Sequence, residues 1–149
     1  MTAKRCDIAV IGAGMAGISC ARQLAAAGRE VVVFDKSKGM GGRMATRRGD
    51  AFSFDHGAQY FTARTPEFVA ALTHWQQAGW CAPWSGRMVA LADDGQPRTL
   101  APEARFVGTP GMSALCRALA GELSVQHQLR LLTLQRSSDG WQLAFDDGS

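Results

Sequence analysis

The sequence predicts an α/β fold built on a parallel β-sheet, and three features support this prediction. An apolar stretch at 5–11 is followed by closely spaced glycines, a helix-forming segment and a second apolar, β-branched stretch at 30–35. Two parallel strands require a crossover between them, which is usually a right-handed helical connection. The composition, 46% apolar and 19% charged among 149 residues, is that of a packed globular protein.

The first fifty residues contain the clearest elements. The nearly continuous apolar run at 5–11 predicts a strand buried on both faces. Residues 15–27 are rich in Ala and Leu, contain no Pro and are followed by Gly28, which predicts a helix and its end. Residues 30–35 predict the second strand, and the glycine-rich, basic stretch at 36–50 predicts a loop.

The middle of the chain shows weaker patterns. Aromatic residues alternate with polar ones at 52–54, which predicts a strand leading into 56–61. Thr65-Pro66-Glu67 is typical of a helix start, and this helix is expected to run to about 77. A strand is predicted at 88–92 before a turn at 93–95, whereas 96–110 is expected to be irregular. Three tryptophans are expected to pack on the helix at 66–77: Trp75, Trp80 and Trp84.

The last third predicts a helix and a hairpin. Residues 111–120 have an apolar stripe, and Ser113 near the start of this helix is interpreted as a cap rather than a nucleophile. The stripe consists of Met112, Leu115, Cys116 and Leu119. Strands are predicted at 129–134 and 141–145 around a turn at 137–140. A further turn begins at 146–149 with no strand after it, so the chain is expected to be part of a longer protein.

The early glycines have the spacing of a phosphate-binding turn. In Gly12-x-Gly14-x-x-Gly17, the first glycine permits the turn, the second lets a pyrophosphate approach the backbone, and the third lets the helix pack against the strand. The helix N-terminus then presents free N–H groups to a phosphate. The residues predicted to bind the cofactor here are Gly12, Ala13, Gly14, Met15 and Ala16.

An acidic residue at the end of the second predicted strand narrows the choice of dinucleotide. Asp35 is placed to accept hydrogen bonds from ribose hydroxyls, and it would repel the 2′-phosphate of NADP. Lys36 follows directly and is predicted to contact the cofactor, so the argument against NADP is not closed. NAD and FAD both remain open at this point, because both carry an ADP half with a free 2′-hydroxyl.

A second glycine motif follows the acid. Gly41-Gly42-Arg43-x-x-Thr46, together with the first loop, resembles the FAD-binding signature of the flavin-containing amine oxidase superfamily, which usually has Glu where this chain has Asp35. The resemblance implies a Rossmann-type fold and FAD as cofactor. It also implies that Arg43, with Gly42 and Met44 beside it, meets the cofactor phosphates or the ribityl chain.

Three further stretches resemble the renalase branch of this superfamily, at 42–48, 54–62 and 107–113. The resemblance implies that Ala58, Gln59 and Tyr60 line the isoalloxazine ring and that Leu131 lies near the adenine. It divides the chain into an FAD-binding domain (1–50 and 108–149) and a partial substrate-domain segment (51–107). A second flavin-binding segment near the C-terminus of family members has no counterpart here.

The expected function, for the full-length protein, is that of an FAD-dependent oxidase, whereas this chain alone is expected to be inactive. By resemblance to renalases, the substrate would be a dihydronicotinamide isomer of NAD(P)H and the acceptor molecular oxygen. An amine substrate is the alternative within the superfamily, and a non-catalytic dinucleotide-binding module is the alternative of another class. The sequence assigns no catalytic residue.

Other partners and sites are not expected. A formal net charge of +3 without a basic stripe does not favour a nucleic acid partner. No apolar run reaches the roughly 20 residues of a membrane helix, and no His or Cys spacing indicates a metal site. The four scattered cysteines favour a reducing compartment, so a cytoplasmic protein is expected.

Overall fold

A computed structural model describes residues 5–86, 89–99 and 103–149. This part of the chain contains three α-helices and eleven short strands. The helices are α1 (Met15–Ala26), α2 (Pro66–Gln77) and α3 (Met112–Ala120). The strands are β1 (Ile8–Ile11), β2 (Val31–Asp35), β3 (Thr46–Arg48), β4 (Ser53–Asp55), β5 (Cys81–Pro83), β6 (Val89–Leu91), β7 (Pro97–Thr99), β8 (Phe106–Gly108), β9 (Ser124–His127), β10 (Leu131–Ser137) and β11 (Gly140–Phe145).

A parallel sheet of three strands, in the order β1-β2-β9, is the centre of the fold. Val10 of β1 lies opposite Val33 of β2, and Asp35 at the end of β2 lies opposite His127 of β9. Helix α1 connects β1 to β2, as the sequence predicts. Because the strands are parallel, their carboxyl ends meet at one edge, where α/β folds bind ligands.

The two faces of the sheet are covered by different layers. Helices α1 and α3 cover one face, where Ile18 and Leu115 are fully buried with Val33. The next residue of β2, Phe34, points to the opposite face, because side chains alternate along a strand. There its ring stacks on Phe145 of the β10–β11 hairpin, with 4.7 Å between the ring centroids. The stripe predicted on α3 is confirmed, since its four members are all buried.

The segment between β2 and α3 forms three antiparallel strand pairs and helix α2. The pairs are β3 with β4, β5 with β8, and β6 with β7. The α2 helix starts at the predicted cap, where the Thr65 hydroxyl accepts a hydrogen bond of 3.3 Å from the Phe68 N–H. Trp75 is buried and Trp80 packs against the core as predicted, but Trp84 is exposed. The division into an FAD-binding domain and a substrate-domain segment stays a prediction.

Several boundaries differ from the sequence-based expectations. The predicted loop at 36–50 contains a 3-10 turn at Gly42–Met44 and strand β3, and the region expected to be irregular, 96–110, contains β7 and β8. The sequence does not predict strands β5 and β9, and β10 begins two residues and ends three residues later than the predicted 129–134. These strands are short, and tertiary pairing rather than apolar alternation fixes them. Met88, in the predicted strand at 88–92, lies outside the described residues.

Two further observations concern the lengths of the helices and the state of the cysteines. Within the described ranges, every helix is too short or too polar to cross a bilayer. All four cysteines are free thiols: Cys6, Cys20, Cys81 and Cys116.

Candidate functional site

The first glycine loop ends β1 and starts α1 in a tight turn. Gly12 has a φ of +105°, which L side chains rarely adopt. A Cβ on Gly17 would overlap the carbonyl oxygen of Gly12, so the helix can approach the loop only without a side chain there. The helix begins after Gly14 with no side-chain cap and no acidic residue in its first turn. Its first N–H groups are therefore left for an anion.

The second glycine loop packs directly on the first. The Gly41 N–H donates a hydrogen bond of 2.9 Å to the Ala13 carbonyl, and Gly14 and Gly41 form a parallel bridge. A Cβ on Gly42 would come within 3.3 Å of the Gly14 Cα atom. Gly41 and Gly42 also have positive φ angles of +128° and +52°. Glycine at these positions thus brings two backbones together at the carboxyl edge of the sheet.

Asp35 is buried at this edge, with 8% of its surface exposed. Its Oδ2 accepts a hydrogen bond of 2.6 Å from the Ala13 N–H, and its Oδ1 accepts one of 2.7 Å from the Ser37 N–H. The acid therefore fixes the first glycine loop, a role that the sequence did not indicate. A carboxylate has about four lone-pair sites, so acceptor capacity remains for ribose hydroxyls.

A cleft of about 860 Å³ lies between the two loops. It is long and open, and backbone and small side chains form most of its wall. The lining residues are Ile11, Gly12, Gly14, Met15, Ala16, Gly17, Gly41, Gly42, Arg43, Met44, Gly57 and Ala58. The structure thus brings together eight of the residues predicted to bind a cofactor: Gly12, Gly14, Met15, Ala16, Gly42, Arg43, Met44 and Ala58.

The other predicted residues lie outside the lining of this cleft. Ala13 and Asp35 are buried and do not line it, Lys36 is exposed beyond Asp35, and Leu131 is half-buried where the β10–β11 hairpin begins. The contacts of these residues with the ribose and the adenine therefore stay predictions.

Gln59 and Tyr60 follow Ala58 on an exposed stretch of chain. The Tyr60 ring lies 5.6 Å from the Trp84 ring between centroids, and the guanidinium carbon of Arg105 lies 5.2 Å from the Tyr60 centroid. Tyr60 is therefore held by an aromatic and a cation–π contact at the side of the cleft rather than inside it.

Gly57 and Arg43 define the far end of the cleft. The Arg43 carbonyl accepts a hydrogen bond of 2.7 Å from the Ala58 N–H. A Cβ on Gly57 would overlap that same carbonyl oxygen. The sequence motif contained Gly57, but nothing in its pattern revealed this close contact. The Arg43 side chain is exposed at the cleft and forms no ion pair with the residues described.

A metal centre has no support in the described part of the chain. No group of three or more His, Cys, Asp or Glu side chains lies close enough together there to hold a metal ion. The cleft is lined by glycine backbone, by the apolar side chains of Ile11, Met15 and Met44, and by Arg43.

Part of this chain is similar in sequence to known proteins. Residues 10–75 match the family model described as an NAD(P)-binding Rossmann-like domain. A 4,4'-diapophytoene desaturase (4,4'-diaponeurosporene-forming) of Staphylococcus haemolyticus is 48% identical over 50 residues, which are 34% of this chain and 10% of the relative. The same enzyme of Staphylococcus aureus matches with the same identity and coverage.

Solved structures resemble nearly the whole chain. Putrescine oxidase bound to putrescine has a TM-score of 0.71 at 13% identity, covering 97% of this chain and 56% of that one. The 2,6-dihydroxypyridine-3-hydroxylase of Arthrobacter nicotinovorans has a TM-score of 0.61 at 22% identity, covering 99% of this chain and 35% of that one. This chain thus spans one tenth of the desaturases and little more than half of putrescine oxidase. Together these findings show an α/β fold of the Rossmann type, in which residues 10–75 are similar to an NAD(P)-binding domain.

Proposed function

We propose that this chain provides the FAD-binding part of an FAD-dependent oxidoreductase. The observation that carries the proposal is the contact between the two glycine loops, which places Arg43 and the first turn of α1 on one cleft. A simple NAD-binding turn does not need the second loop. The similarity in sequence to desaturases and in fold to putrescine oxidase supports the same class.

The residues of the cleft fit the parts of this cofactor. The uncapped N–H groups after Gly14 suit the pyrophosphate, and the Arg43 guanidinium adds a fork of donors for phosphate or ribityl oxygens. The Asp35 carboxylate suits the ribose hydroxyls and disfavours a 2′-phosphate. Gly57 and Ala58 present a backbone without bulky side chains, which lets a flat ring approach closely.

The chemistry that bound FAD supplies is two-electron oxidation of an organic substrate. We propose a renalase-like reaction, in which a dihydronicotinamide isomer of NAD(P)H loses a hydride. The products are NAD(P)+ and, after transfer of two electrons and two protons to molecular oxygen, hydrogen peroxide. In this reaction the chain binds and orients the cofactor. We propose that the contact extends to the adenosine through Lys36 and Leu131, and to the isoalloxazine ring through Gln59 and Tyr60.

The test is anaerobic reduction of the purified, flavin-loaded oxidoreductase that contains this chain. With a dihydronicotinamide isomer as reductant, the flavin absorbance near 450 nm should bleach, and one equivalent of peroxide should form when air is admitted; the wavelength is roughly that of any oxidised flavin. Absence of bound flavin would refute the FAD proposal itself. Bound flavin that this reductant leaves oxidised would refute only the substrate.

A primary amine is the second candidate substrate. The fold similarity to putrescine oxidase is the specific observation that favours it. The same anaerobic experiment with putrescine decides between the two, because only the true substrate class should bleach the flavin within the time of a turnover.

A further inference from the structure

Helix α3 is capped by side chains from the β3–β4 hairpin rather than by its own. Its N-cap, Gly111, makes no side-chain hydrogen bond. Instead, Asp55 Oδ1 accepts a hydrogen bond of 3.0 Å from the Met112 N–H, and Thr46 Oγ1 accepts one of 3.1 Å from the Ser113 N–H. The Thr46 hydroxyl in turn donates a bond of 2.5 Å to Asp55 Oδ1. We name this pair the Thr46–Asp55 clamp.

The predicted capping role of Ser113 is therefore wrong. The Ser113 hydroxyl accepts hydrogen bonds from the Arg117 and Arg48 guanidiniums, at 3.0 Å and 3.4 Å. Because the Ser113 side chain is directed to these arginines, the first N–H groups of α3 depend on the clamp. A pattern read along the chain could not have found this cap, since its donors and acceptors are separated by 57 and 67 residues.

The clamp closes a ring of chain around the far end of the cleft. Two residues lie between Arg43 and Thr46, and two lie between Asp55 and Ala58. The clamp joins Thr46 to Asp55, and the bond from the Ala58 N–H to the Arg43 carbonyl closes the other side. Arg43 and Ala58 both line the cleft. Asp55 therefore links the two chain segments that form this end of the cleft.

The ring has little freedom to shift as a unit. A Cβ on Gly111 would come within 3.1 Å of Thr46 Oγ1, so the start of α3 already lies in close contact with the clamp. The buried stripe of α3 places Leu115 and Leu119 in the same hydrophobic core as Ile18 of α1. The clamp is therefore held in place by α3, which packs in the same hydrophobic core as the first glycine loop.

We infer that Asp55 is a positioning residue for the cofactor. Through its bonds to Thr46 and the α3 backbone, it holds together the Arg43 backbone and the Gly57–Ala58 backbone, which form one end of the cleft in which a flavin would lie. Asp55 itself does not line the cleft. The inference rests on the proposed function for the identity of the ligand, whereas the positioning of the ring can be measured without any ligand.

The first test compares FAD affinity among purified variants, by quenching of flavin fluorescence well below the unfolding temperature. Asp55→Ala removes the acceptor and should weaken binding about tenfold, equivalent to about 1.4 kcal/mol. Asp55→Asn keeps Oδ1 as an acceptor and should stay within about threefold of wild type. Thr46→Ser keeps the hydroxyl and should bind FAD as wild type does, whereas Thr46→Val should resemble Asp55→Ala.

Thr65→Ala is the matched control, because it removes a helix cap from α2 that does not touch this cleft. Loss of this cap should lower the stability of the protein, whereas FAD affinity should be unchanged. Equal FAD affinity in Asp55→Ala and wild type would overturn the inference. So would equal losses in Asp55→Ala and Thr65→Ala, because the effect would then be one of general stability.

The second test needs no cofactor. Amide hydrogen exchange at Ala58 reports the bond to the Arg43 carbonyl. Asp55→Ala should speed this exchange about tenfold or more, while Thr65→Ala should leave it unchanged. If the wild type binds no FAD, the proposed function fails, yet Ala58 exchange still decides the inference: unchanged exchange in Asp55→Ala would refute it.

Discussion

Replacement of Gly57 by Ala introduces one methyl group where the structure has no room for it. The new Cβ would overlap the Arg43 carbonyl oxygen and lie 2.8 Å from the Arg43 carbonyl carbon. Both atoms belong to the backbone, so no side-chain rotation relieves the overlap. The 2.7 Å bond between the Ala58 N–H and the same carbonyl must lengthen or break as the two segments separate.

The loss of folding stability caused by Gly57→Ala can be estimated from two contributions. Forcing a methyl group into a packed site costs about 1–3 kcal/mol, and the lost hydrogen bond contributes about 0.5–1.5 kcal/mol. Gly57 is exposed, so the loop can relax, and a total near 2 kcal/mol is expected. At roughly 3 °C per kcal/mol for a chain of this size, the melting temperature should fall by about 6 °C.

Thermal unfolding followed by circular dichroism measures this fall, with Gly39→Ala as the control. Gly39 is exposed, and a Cβ there meets no atom within 4 Å. That control should unfold within about 2 °C of wild type. If Gly57→Ala unfolds at the wild-type temperature, the close contact between the Gly57 backbone and the Arg43 carbonyl is not a feature of the folded protein.

Three further changes test other parts of the site. Arg43→Ala should weaken FAD binding by about 1.5–3 kcal/mol, the usual range for hydrogen bonds to a charged group; equal FAD affinity by equilibrium dialysis would show that Arg43 is only a loop residue. Asp35→Asn should lower the free energy of unfolding in urea by about 1–3 kcal/mol, because the Ala13 N–H loses a charged acceptor; an unchanged urea midpoint contradicts this. Burial raises the pKa of the Cys116 thiol to about 11. At pH 8, iodoacetamide should therefore modify the exposed Cys20 well before Cys116. If mass spectrometry shows the reverse order, Cys116 of α3 is not buried.

Local signals allowed the first part of the fold to be predicted from the sequence. The glycine turn, the helix after it and the strand ending at Asp35 each depend on a few neighbouring residues, and the structure confirms all three. The start of α2 at Thr65 was likewise encoded locally, by a capping hydroxyl followed by Pro.

Long-range contacts account for what the sequence could not predict. Strand β9 has a single strongly apolar residue, Val125, and is a strand because it pairs with β2. The contact of Gly57 with Arg43 and the capping of α3 by Asp55 join segments that are distant in sequence. The glycines and the arginine of the candidate site were predictable as a motif, but the residues that hold the motif in place were not.

The central claim is that the cleft between the two glycine loops binds FAD, and a direct binding measurement tests it. Titration of the purified protein with FAD, NAD, NADP and ADP, by calorimetry or flavin fluorescence, should give the tightest binding for FAD. NADP should bind most weakly, because Asp35 repels the 2′-phosphate, and Arg43→Ala should reduce the preference for FAD over ADP. Tighter binding of NADP than of FAD, or FAD binding that Arg43→Ala leaves unchanged, would contradict the account.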